Sequence, residues 1–142
     1  MKYLACLLII SITSANSLRA ETTDNLAVKY AEAGAYFLVV HQALKQSGEK
    51  YAAVSKKYGD DYDYCCIISM LLASQTRNSD MAGKVTLARV EFSKKEMLKE
   101  IDHRNENISI LMNKYQDSSF KLVNKPPSIV KQLLAEVNSV QK

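Results

Sequence analysis

Tyr62-Asp63-Tyr64-Cys65-Cys66-Ile67-Ile68-Ser69-Met70-Leu71-Leu72-Ala73 is the stretch whose reading decides the fold. From Cys65 to Ala73 only Ser69 is polar, so no narrow apolar stripe can be drawn along it. A helix that is greasy on every side is a buried helix. The run falls short of the roughly 20 apolar residues that span a bilayer. These residues therefore predict an all-α protein: a compact bundle of five or six helices around a buried central helix at about residues 61–74.

The flanking sequence supports that class. In 142 residues there is room for one domain, and 47% apolar residues are enough for a core. Four Gly and two Pro are too few for a sandwich or barrel, which needs a turn about every 8–12 residues. Upstream, Leu26, Tyr30, Phe37, Val40 and Leu44 recur at helical spacing and predict a helix over 24–47. Thr23 or Asp24 is its expected cap, and Ala27, Ala31 and Ala35 would let a neighbour approach closely. A short helix over 49–58 is expected to stop at Gly59. Asp60 or Asp61 would then start the central helix, with Asp63 against its dipole.

Downstream, Arg77-Asn78-Ser79-Asp80 reads as an interruption. The longest helical pattern follows, over 80–115. Val85, Ala88 and Phe92 form one apolar stripe on it, and Leu98, Ile101, Ile108, Met112 and Tyr115 another. Between the stripes lie charges, with Glu91–Lys95 and Glu100–Arg104 spaced as supporting pairs and Glu96–Glu100 as an opposing one. Asn105 falls where the apolar repeat wants a greasy residue, which predicts a break near 102–107. Residues 117–125 read as a loop. Asn124 is then the expected cap of a last helix, with Pro126 and Pro127 in its first turn and Ile129, Leu133, Val137 and Val140 as its buried stripe.

Residues 1–20 have the order of a cleaved secretory signal peptide: Lys2, an apolar run from Leu4 to Ile12, then Leu18-Arg19-Ala20 before Glu21. Residues 21–142 are then a single helical domain, periplasmic or secreted. Cuts after Ala15 or Ser17 are rival sites. The formal charge is +4; removing Lys2 and Arg19 leaves 17 basic against 15 acidic residues, hence +2. So even a balance is no footprint for nucleic acid, and no membrane association is expected once the leader is gone.

Few residues suggest chemistry. Cys65 and Cys66 are the only thiols outside the leader. Adjacent cysteines strain the small ring that would join them, so they read as buried small hydrophobes, with a disulfide to another chain across a homodimer as the alternative. No C-x-x-C spacing marks a redox site. His41 reads as a satisfied core or rim residue and His103 as solvated, and neither has a metal-ligand companion such as H-E-x-x-H. A calcium loop starting at Asp61 would need Gly at position 6 and Glu at position 12; Cys66 and Leu72 stand there. Glu32, Glu49, Glu91 and Glu136 are scattered singly. Asn107-Ile108-Ser109 fits a glycosylation acceptor, a chance match in a chain whose terse leader and Lys- and Asn-rich composition look bacterial. No catalytic, cofactor or metal residue is nominated.

What remains is a surface. Tyr58, Asp60, Asp61 and Tyr62 form a tyrosine–aspartate cluster suited to entering a cleft on another protein, since tyrosine is enriched at binding hot spots. The plainer reading makes the aspartates caps and packs the tyrosines on the helix. The expected function is that of an exported, non-enzymatic protein-binding module, an inhibitor or immunity-type protein covering a toxin or cell-wall hydrolase. The alternative is a structural subunit of a secretion or cell-surface assembly that stacks through the long charged helix. A carrier of an apolar ligand is a third class, and it needs a cavity of several hundred cubic ångströms.

Overall fold

Small side chains set the architecture. The computed structural model describes residues 2–140, with side chains for residues 22–139. Five helices follow in order: α1 (Lys2–Gln46), α2 (Ala52–Ala73), α3 (Ser79–Glu100), α4 (Ile108–Asn124) and α5 (Ser128–Val140). Single 3-10 turns at Glu49–Tyr51 and Asn105–Asn107 precede α2 and α4. Among the described residues there is no strand, and the protein is an all-α bundle. The expected signal peptide falls on residues whose side chains lie outside the described ones.

The rod at the centre is α1, not the 62–73 stretch. Packed by α2, α3 and α4, α1 buries Ala27, Tyr30, Ala31, Ala35, Tyr36, Phe37 and Val40. Its alanines, with Gly34, leave room for that approach: a Cβ on Gly34 would sit 3.4 Å from the Cβ of Cys65 and 3.6 Å from the Sγ of Cys66. The greasy stretch of α2 buries Cys65, Ile68, Leu72 and Ala73, yet leaves Ile67 51% and Met70 37% exposed. Apolar content reports how much surface a helix offers, not how many neighbours arrive to cover it. Ser69, the polar exception, is fully buried where three helices meet. Its hydroxyl donates to the Ala27 carbonyl at 2.8 Å and lies 3.3 Å from the Thr86 hydroxyl.

Gly59 does not end a helix. The turn lies at Gly48, whose φ of 98° and ψ of 176° belong to a region nearly reserved for glycine. Gly59 sits inside α2 with its bare face against the His41 ring, where an added Cβ would come within 3.3 Å. Glycine here serves close packing, so α2 runs through, and Asp60, Asp61 and Asp63 are interior residues and not caps. Asp60 and Asp61 pair with lysines one turn back, Lys56 at 2.7 Å and Lys57 at 2.8 Å.

The cap of α3 is Asn78, whose side chain accepts from the Met81 amide at 2.9 Å. The expected break after α3 is present. The His103 amide donates to the Leu98 carbonyl at 2.8 Å and the Asp102 amide to the Lys99 carbonyl at 3.0 Å. This is the paired closure of a Schellman motif, with Asp102 and His103 both at positive φ. Because the helix stops there, Glu100 has no Arg104 one turn on. It instead accepts from Lys114 at 2.9 Å and from the Tyr115 hydroxyl at 2.8 Å on α4. Glu91 likewise pairs with Lys94, at 2.8 Å, and not with Lys95.

Residues 117–125 are not a loop: α4 continues to Asn124. The polar run Gln116-Asp117-Ser118-Ser119 masked a helix whose inner side carries Ser119, Phe120, Leu122 and Val123 against the core. Asn124 thus closes α4 and does not cap α5. Pro126 and Pro127 precede the last helix, and the Pro127 carbonyl accepts from the Val130 amide at 3.0 Å. The stripe of α5 is also rotated from the expected one. Val130 is fully buried and Leu133 nearly so, while Val137 is 38% exposed; Val140 has no described side chain.

Candidate functional site

The expected tyrosine–aspartate surface comes apart in three dimensions. The Tyr58 ring lies inside, 5.7 Å from both Phe37 and Phe120 and 6.2 Å from Tyr36 between ring centroids. This cluster locks α1, α2 and α4 by edge-to-face contacts, each adding about 0.5–1.5 kcal/mol beyond area burial. Asp61 is buried against Lys57, whose ammonium lies 4.8 Å from the centroid of the Phe120 ring. Only Asp60 is exposed, and Tyr62 is half-buried beside Cys66. Burial first, then the neighbouring Cys66, pushes the Tyr62 hydroxyl up to about 12.

The two thiols are unbridged. Cys65 is buried, and that burial, followed by the neighbouring Cys66 and Asp61, pushes its pKa far up. Cys66 is raised mainly by burial too, against a lowering hydrogen bond with Tyr62. Both are therefore poor nucleophiles. His103 is exposed at the α3–α4 break.

His41 and Ser55 resemble a base and a nucleophile, with Nδ1 and Oγ 3.1 Å apart. The shorter contact decides otherwise: Nδ1 lies 2.7 Å from the Ser55 carbonyl. A carbonyl only accepts, so Nδ1 carries the proton and is no base towards Oγ. The Ser55 hydroxyl donates instead to the His41 carbonyl at 3.1 Å. This is an α1–α2 clasp.

Asp24, expected as a cap, is the hub of an ion network. Its carboxylate accepts from Arg77 at 2.7 Å and from Arg89 at 3.0 Å on each oxygen. Burial works to raise this carboxyl, but the hydrogen bonds and charges of the two arginines outweigh it and hold it below the usual range. Arg89 is thereby fixed between α1 and α3. Its second terminal nitrogen is buried with no partner among the described residues.

Beside Arg89 opens the feature that sequence reasoning missed. Val28 of α1 and Val85, Ala88 and Phe92 of α3 line a groove of about 440 Å³, edged by Glu32 and Ser93. Phe92 is 68% exposed and Val28 43%. The stripe Val85–Ala88–Phe92 was legible as an apolar face, but its lack of cover was not. A signal was present: two apolar stripes on one helical pattern are more than a bundle helix buries.

No family model, curated protein or solved structure matches the chain.

The geometry therefore has to speak for itself. Among the described residues no three of His, Cys, Asp and Glu gather to hold a metal ion, and no helix is long and apolar enough to cross a membrane. What stands open is the groove: an aromatic side chain in water, an apolar floor and a fixed cation.

Proposed function

We propose that this chain is an exported, non-enzymatic protein-binding module of the inhibitor or immunity type, and that it meets its partner through the α1–α3 groove. The observation that carries this is Phe92, 68% exposed at the edge of an apolar floor made by Val28, Val85 and Ala88. Covering a large aromatic with a partner's surface returns about 1.5–3 kcal/mol. An aromatic beside an arginine is the composition of binding hot spots. Glu32 and Ser93 supply the polar rim that surrounds such centres. Of the four residues first nominated, Tyr58 and Asp61 are spent on the core, and Asp60 and Tyr62 belong to α2, outside the groove.

The test uses the chain from Glu21 onward, immobilised and exposed to extract from the compartment into which it is exported. A partner retained by the parent protein should be lost with Phe92→Asp and kept with Asp60→Ala and Tyr62→Ala. Equal retention by a Phe92→Asp protein with unchanged circular dichroism would overturn the groove. Mass spectrometry of the exported form tests the leader: a chain starting at Glu21 is expected, and an unprocessed chain confined to the cytosol removes export from the proposal.

A further inference from the structure

Next to the groove, and sharing Glu32 of α1 with it, lies a hollow of about 380 Å³, walled by α1, the second half of α4 and the turn into α5. This is within the size range of small-molecule sites, about 300–1,000 Å³. Its floor is apolar: Ala33, Leu122 and Pro127. Its rim carries Lys29 from α1, Lys121 from α4 and Lys125 from the turn, against the single carboxylate of Glu32. None of the three lysines is in an ion pair among the described residues, whereas Lys56, Lys57, Lys84, Lys94, Lys99 and Lys114 all are. Ser119 also lines the hollow; it is only 3% exposed, and its hydroxyl makes no hydrogen bond among the described residues. An acceptor seated in the hollow would give that hydroxyl a partner.

We infer that this hollow binds a small amphipathic carboxylate, a monoanion with a short aliphatic or aromatic tail. The tail rests on Ala33, Leu122 and Pro127, the carboxylate takes the Ser119 proton donor, and the lysines neutralise its charge. Two helix ends meet at this rim, the negative end of α4 at Lys125 and the positive end of α5 at Ser128. They offset one another, so the lysines set the sign. A monoanion suits the site better than a phosphate. Lysines act as point charges, and no arginine fork, the geometry for gripping two oxygens at once, lines the hollow. The hollow shares Glu32 with the α1–α3 groove but none of its other lining residues, so substitutions at Phe92 and at the lysines test the two separately.

Octanoate is the probe, titrated into the ¹⁵N-labelled chain from Glu21 onward and followed by amide chemical shifts, with octyl glucoside and inorganic phosphate as controls. Saturable shifts centred on residues 29–33 and 118–127 are expected for octanoate alone. Replacing Lys121 and Lys125 together by Ala, both exposed and safe for folding, should weaken it about tenfold or more. Ser119→Leu, which fills the hollow, should abolish it. The assignment is overturned by octanoate shifts that do not saturate, or by affinity unchanged in the double lysine variant. Octyl glucoside binding equally well would show that the charge plays no part. Phosphate binding as tightly as octanoate would reduce the site to a surface anion contact.

Discussion

Asp24 shows how a single side chain can change its job between sequence and structure. It fits a helix cap by residue type, and it became an ion-pair hub because arginines 53 and 65 positions away fold onto it. Its lowered pKa has a definite consequence. A carboxyl held below its unfolded value stabilises the fold fully above the unfolded pKa of about 4. That contribution is lost as pH falls through the lower folded value. Asp24→Asn should therefore cost about 1 kcal/mol at pH 7, a modest figure because the carboxylate stays one-third exposed. Thermal unfolding curves of the two proteins should converge in acid. A difference that persists undiminished at pH 2 would contradict the network. Tyr58 makes the companion point. Its ring is core, so Tyr58→Ala should lose about 3 kcal/mol or more in urea unfolding. Tyr62→Ala, at a half-buried position, should lose much less.

At the scale of helices, ends were harder to place than bodies. A glycine ends a helix when the chain needs positive φ, and it continues one when a neighbour needs room. Gly48 and Gly59 are the same letter with these opposite duties, and only the His41 ring against Gly59 tells them apart. The break after α3 was legible from Asn105, since a polar residue at a repeat position costs buried contact. Its closure was not legible, because Asp102 sits at the left-handed position where glycine is preferred. Asp102→Gly should accordingly stabilise the protein by about 1 kcal/mol, read as a rise in urea midpoint with an unchanged slope. A fall would mean that the Asp102 side chain holds the turn in some other way.

For the molecule as a whole, burial is uneven. α1 is packed from three sides, whereas α5 buries Val130 and Leu133, with Ile129 and Leu134 half-buried beside them, and ends exposed. Opening free energies follow such differences in contact. Amide hydrogen exchange should be slowest across residues 27–43 and fastest, among the helices, in α5. Comparable protection in both would mean that α5 is anchored by more than these side chains.

By itself the sequence determined the class. Helical spacing, scarce glycine and proline, and a nine-residue greasy run leave only helices packed on helices, because local periodicity is written into neighbouring residues. It also determined the interruption before α3 and the break after it. Only the tertiary structure decided which rod is central, which tyrosines are spent on the core, and which apolar stripe is left in water. Those outcomes depend on what other helices cover, and cover is a relation between residues far apart in the chain. Phe92 and Phe37 are the same letter on apolar helical faces. One is 68% exposed and the other not at all, because three helices close over α1 and none crosses the outer face of α3.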